Sequence, residues 1–220
     1  MQEDQQILTA KDAYRRAKAE HYLQRAEEYV QMARYGIARK TMETVVSLDP
    51  ANEACKALRR TIEEHIEQIR RRANGMSDAG LGNGNGSRRH SRSELVLIVD
   101  QDERLLISLH ESLRRGGFQT IGAGNFEEAV EVLSNVVPDI VISEVNFENG
   151  PRGFDLYSWV KTNGRMARIP FVFLAAKFDR DVLIAGKRFG VDDFILKPVD
   201  NEVVTASVQN CLSRRKSSSP

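Results

Sequence analysis

Five short apolar runs, each followed by an amphipathic stretch, punctuate residues 94–213 of this 220-residue chain. Leu95–Val99 is apolar at every position, as a strand covered on both faces must be. Phe118–Ile121, Asp139–Ser143, Phe171–Leu174 and Phe194–Leu196 supply four more strands. Between them, apolar residues recur at helical spacing. The stripes are Leu105, Leu106, Leu109 and Leu113, closed by Gly116-Gly117; Phe126, Ala129, Val130 and Leu133; Leu156, Trp159 and Val160; Val182 to Phe189; and Val204, Val208, Cys211 and Leu212. Strict alternation with short connections predicts an α/β fold, a five-stranded doubly wound parallel sheet with helices on both sides. In such open sheets the site lies beyond the carboxyl ends of the strands. The residues that follow each run are therefore the ones to read.

After the first run come Asp100, Gln101 and Asp102, and after the third Glu144, Val145 and Asn146. Ala175 and Ala176 follow the fourth run, and Lys197 and Pro198 the fifth. Acids, an amide and one lysine thus converge on one end of the sheet. With this order and spacing, carried by IVDQD, PDIVISEVNF, PFVFLAA and GVDDFILKP, residues 94–213 resemble the response-regulator receiver domain of two-component signalling, a flavodoxin-like fold.

The resemblance implies a definite chemistry. In working receivers an aspartate after the third strand takes a phosphoryl group while Mg²⁺ neutralises the developing charge. The metal is held by that aspartate, by an acidic pair after the first strand and by a backbone carbonyl two residues past the acceptor. A Thr or Ser after the fourth strand and a lysine after the fifth bind the phosphoryl oxygens. The hydroxyl then moves, and an aromatic residue near strand five follows it.

This chain departs from the pattern at three places. The acceptor position is Glu144, whose charge lies one methylene too far out for in-line attack. The second acid of the first pair is Gln101, a poor ligand for a hard divalent ion, although Asp100 remains. The hydroxyl position is Ala175. Lys197, Pro198 and the aromatic position Phe194 are kept, and Asn146 stands two residues past Glu144. The expectation is a degenerate phosphoacceptor pocket of Asp100, Gln101, Glu144, Asn146, Ala175 and Lys197, in which Glu144 pairs with Lys197. No catalytic residue, no enzymatic activity, no metal site and weak or absent Mg²⁺ binding are expected. The competing possibility is a Glu144 that points into solvent in a pocket that has merely decayed.

Residues 1–73 hold a single glycine, Gly36, and a single proline, Pro50, and are rich in Ala, Glu, Arg and Lys. Leu23, Ala26, Val30 and Ala33 form one helical stripe, and Ile37, Ala38, Met42, Val45 and Val46 a second. Gly36 reads as the break between them, and Pro50 as the first turn of a third helix lined by Ala54, Leu58, Ile62, Ile66 and Ile69. On Tyr22, Ala26, Tyr29, Tyr35, Ala38, Met42, Val45, Leu48 and Pro50, the segment from Tyr22 to Pro50 resembles a tetratricopeptide repeat, with Arg25 where a Leu is usual. One such unit is a small domain, since repeats need neighbours to cover their faces. A partner or a homodimer is expected to supply that cover; the alternative is a plain helical hairpin.

Residues 74–93, NGMSDAGLGNGNGSRRHSRS, carry five of the fifteen glycines and no aromatic, and read as a flexible Gly/Asn/Ser/Arg linker. Residues 214–220 read as a disordered tail. The net charge of +1 is distributed as +2, +2 and −3 over 1–73, 74–93 and 94–220, too little of one sign for a polyelectrolyte binder of nucleic acid. The arginine knots Arg70–Arg72 and Arg88–Arg92 read as helix-end and linker solvation. No apolar run approaches the ~20 residues of a membrane span, and the first ten residues lack a signal peptide's basic head and apolar stretch. Cys55 and Cys211 match no redox or metal spacing. His21, His65, His90 and His110 are too scattered for zinc, with His65 and His110 expected at helix surfaces and Trp159 in the core.

The expected protein is a bacterial-type cytoplasmic signalling adaptor of the phosphorelay class. It would bind protein partners through the helical module and through the face of the receiver's fourth helix, fifth strand and fifth helix, roughly Val182 to Leu212. The alternatives are a working response regulator with an atypical pocket, or a DNA-associated regulator acting through the basic N-terminal region.

Overall fold

The computed structural model describes residues 2–73, 93–148, 152–176 and 180–217. The chain divides into two compact units, Met1–Ile69 and Arg70–Pro220. Most of the expected linker, residues 74–92, lies outside the described residues.

In the second unit β1 (Leu95–Val99), β2 (Gln119–Ala123), β3 (Ile140–Glu144), β4 (Phe171–Ala175) and β5 (Asp193–Leu196) form one sheet in the order β2-β1-β3-β4-β5. Every neighbouring pair is parallel. The helices are α4 (Glu103–Arg115), α5 (Phe126–Asn135), α6 (Gly153–Thr162), α7 (Arg180–Phe189) and α8 (Asn201–Ser217). The doubly wound sheet expected from the five runs is present. All residues of β1, β3 and β4 are buried, so these central strands show no alternation, and only Ser143 and Glu144 at the end of β3 are polar.

Several boundaries differ from those read in the sequence. β2 lies one to two residues later than Phe118–Ile121, and β3 ends on Glu144. The pairing of Glu144 with Leu174 makes the acidic residue the last member of the ladder. α8 runs on to Ser217, into the expected tail, with Arg214, Arg215 and Lys216 in its last turn. There basic side chains complement the helix dipole, and Lys216 pairs with Glu94 at 2.5 Å. Residues 218–220 lie outside the described residues. Trp159 is half-buried, not core, while Leu156, Tyr157 and Val160 face inward.

The first unit is α1 (Gln2–Gln31), α2 (Tyr35–Leu48) and α3 (Glu53–Ala73). α1 reaches far beyond the stripe that predicted it, and residues 11–18 are exposed at every position. The break between α1 and α2 falls at Met32–Arg34, where Ala33 takes a left-handed φ of 55°. Gly36 lies inside α2. Pro50 lies in the turn before α3; Asn52 caps that helix by accepting from the Cys55 N–H at 2.8 Å. The buried face of α3 uses Cys55, Ile62 and Ile69, with Ala54 exposed. His65 stacks on Tyr35 with ring centroids 5.2 Å apart and is half-buried. His110 likewise is half-buried, its Nδ1 bonded to the hydroxyl of buried Thr120.

Candidate functional site

β1, β3 and β5 deliver their last residues to one place. Asp100 follows β1, its N–H donating to Ala123 O at 3.0 Å, and its side chain is fully buried. Glu144 ends β3 and is 4% exposed. Lys197 follows β5 and is registered by its own N–H, which donates to Ala175 O at 2.8 Å. The Lys197 ammonium bridges both acids, lying 2.7 Å from Asp100 Oδ2 and in contact with Glu144 Oε2. The pair expected from the sequence is therefore a triad, with Asp100 as its third member.

The remaining oxygens are also committed. Glu144 Oε1 accepts the N–H groups of Val145 at 2.9 Å and Asn146 at 3.2 Å. The carboxylate thus folds back on its own turn instead of reaching outward. Asp100 Oδ1 accepts the Asp102 N–H at 2.9 Å. Asp100 Oδ2 is held by the Lys197 ammonium at 2.7 Å. Asp102 gives the pocket its N–H, while its carboxylate caps α4, accepting from Arg104 and Leu105 N–H. Asn146 contributes its backbone N–H, and its side chain is exposed.

Burial raises the Asp100 carboxyl above the ordinary aspartate range, more than the Lys197 and Asp102 contacts lower it. Burial alone would lower the Lys197 ammonium, but the hydrogen bonds and charges of Asp100 and Glu144 outweigh it and hold the pKa above the usual lysine value. Desolvation thus decides the direction for Asp100, and the two buried anions decide it for Lys197.

Gln101, exposed at the rim, accepts the Glu148 N–H through Oε1 at 2.8 Å. Ala175 is buried at the end of β4 and offers a methyl group where a hydroxyl would bind an oxyanion. Phe194 is half-buried, its ring centroid 5.4 Å from that of Phe173. A Cβ on Gly186 of α7 would lie 2.0 Å from the Phe194 ring, so the ring rests on bare backbone.

Sequence reasoning missed Gly153. An added Cβ there would stand 2.2 Å from the Glu144 carbonyl oxygen, and the Gly153 N–H donates to Val145 O at 2.9 Å. The first residue of α6 thus presses on the backbone that carries the acid. No pattern in the sequence marked it, since a glycine at the first position of a helix breaks no rule of helix interiors.

The fold's implied divalent ion does not fit this donor set. Asp100 and Glu144 are turned onto Lys197 and backbone amides, and the third position is a neutral amide already accepting a hydrogen bond. Hard cations need several free anionic or carbonyl oxygens. Among the described residues no group of three or more His, Cys, Asp and Glu is placed to hold a metal.

Residues 96–209 match the family model described as the response regulator receiver domain. The chain belongs to that family. Similar proteins include the sensory transduction protein BceR of Halalkalibacterium halodurans, 26% identical over 119 residues that cover 54% of this chain and 50% of that one. The transcriptional regulatory protein AfsQ1 of Streptomyces coelicolor is 27% identical over 119 residues, 54% of this chain and 51% of that one. The chain spans about half the length of the curated relatives it matches. Among solved structures, the signal receiver domain of a histidine kinase from Syntrophus aciditrophicus superposes with a TM-score of 0.51 at 31% identity, covering 55% of this chain and 91% of that one. The shared segment is the receiver, and no helix among the described residues is long and apolar enough to cross a membrane.

Proposed function

We propose that this receiver works without a phosphoryl group, as the signal-side module of a binding protein whose pocket is closed by its own lysine. The observation that carries the reading is the Lys197 bridge to Asp100 and Glu144. A phosphoacceptor needs an outward carboxylate, an open cation site and a hydroxyl for the transferred oxygens. Glu144 is folded onto the Val145 and Asn146 amides, Gln101 is neutral and Ala175 has no hydroxyl. With no hydroxyl to move, Phe194 has nothing to follow, and the pocket holds one conformation.

The protein then acts by contact and not by catalysis. Leu196 of β5 and Val203 of α8, on the face proposed to dock a partner, are 47% and 53% exposed. Residues 1–73, with their tetratricopeptide-like pattern, offer a second contact. A tether of roughly twenty residues between the two would raise the effective concentration of the second contact once the first is made. The protein would work in the cytoplasm, where the receiver family's partners are met, and a second copy of the chain is one candidate for the helical module's partner.

Titration of the full chain with beryllofluoride and Mg²⁺ in a calorimeter tests the reading. No heat beyond dilution is expected. Saturable binding at one site per chain would return the protein to the working response regulators.

A further inference from the structure

Two contacts in the pocket do what a divalent ion would otherwise do, and neither is explained by the loss of phosphotransfer alone. A pocket that had simply decayed, with Glu144 turned into solvent, would leave Lys197 to Asp100 alone and the turn after β3 untied from the turn after β1. Instead the Lys197 ammonium sits between the two carboxylates. The Gln101 carboxamide spans forty-seven residues of sequence to take the Glu148 N–H at 2.8 Å. Glu148 itself is exposed, so its amide would otherwise face water.

We propose that Gln101 and Lys197 together replace the divalent ion. Lys197 supplies its charge, and Gln101 acts as a positioning residue that fastens the segment after β3 to the turn after β1. The exchange at position 101 serves two ends. A carboxylate there would add a third anion to a site with one cation, and would reopen the demand for a metal. The amide keeps an acceptor oxygen for the Glu148 N–H while adding no charge. The inference rests on the reading that the pocket is closed by its own lysine, and it assigns the role of the second substituted position in that closure.

The experiment uses the full chain and two readouts. Hydrogen exchange at the Glu148 amide is compared between the native sequence and Gln101→Ala. Loss of the carboxamide should speed exchange by about fivefold to tenfold, the measure of one neutral hydrogen bond. Thermal midpoints are recorded in EDTA and in millimolar MgCl₂ for the native sequence and for Gln101→Asp. The native midpoint should not move, and Gln101→Asp should acquire a saturable, Mg²⁺-dependent rise. A saturable rise in the native chain would overturn the proposal. So would unchanged Glu148 exchange in Gln101→Ala, or a Gln101→Asp chain indifferent to Mg²⁺. These outcomes are distinct from those of the beryllofluoride titration. A native chain stabilised by Mg²⁺ that still ignores beryllofluoride would sink this proposal alone; beryllofluoride binding would sink the reading beneath it.

Discussion

Lys197 is the residue on which the pocket depends. Substituting Lys197→Ala leaves two buried carboxylates facing each other, and breaking such a pair by removing one partner costs about 3 kcal/mol. Substituting the exposed Lys187 should cost less than about 0.5 kcal/mol; paired urea titrations of the two variants check the contrast. The pH dependence carries a definite sign. The native state holds the Lys197 proton more tightly than the unfolded chain does, because its folded pKa is raised. Its contribution is therefore fully present below the unfolded lysine pKa of ~10.4 and is lost as pH rises through the folded value. Asp100 is also raised, so its ionisation lowers stability as pH climbs from ~3.9 through its folded value. The difference in unfolding free energy between the native chain and Lys197→Ala should shrink above pH 10.5, as read by urea titrations across that range. A difference that stays constant would contradict the assignment. Glu144 and Lys197 were legible as partners because both stand at the carboxyl end of the same parallel sheet and carry opposite charges. Asp100 as the second acceptor and the Gln101–Glu148 bond were not, since no periodicity links residues that meet only through the crossovers of the sheet.

At the scale of elements, two glycines set how closely helices approach the strands that carry the pocket. Gly153→Ala should destabilise by about 1–3 kcal/mol, at the upper end because the new methyl meets the Glu144 carbonyl and not a yielding side chain. Gly186→Ala meets the Phe194 ring, which can turn aside. A smaller loss is expected there, offset in part by the better helix propensity of alanine, with a changed Phe194 ring environment in aromatic NMR spectra. An unmoved Phe194 signal would contradict the packing. The strands were readable because burial on both faces leaves an unbroken apolar run, and their ends shifted by one or two residues because pairing continues past the last apolar side chain, as at Glu144. The helices of the first unit were less readable. The exposed residues 11–18 of α1 carry no apolar stripe, and the left-handed residue at the turn is Ala33 and not a glycine. Asn52, a capping residue three positions before Cys55, was a better signal for the start of α3 than Pro50.

For the whole molecule, the two units invite separate accounts. The receiver matches its family over residues 96–209; at the pocket it departs from the functional pattern at Gln101, Glu144 and Ala175 and keeps Lys197. On the proposed reading the receiver fold serves as a binding surface. The charge follows the same division, +2 for residues 1–73 and −3 for 94–220, so neutrality of the chain describes neither unit. The account stands or falls on whether the pocket takes a phosphoryl group. Intact-protein mass spectrometry after incubation of the full chain with Mg²⁺ and acetyl phosphate, beside a working receiver as control, reads this directly. The account predicts a phosphorylated control and an unchanged mass for this chain; a phosphoryl adduct that maps to Glu144 or its neighbours would contradict it.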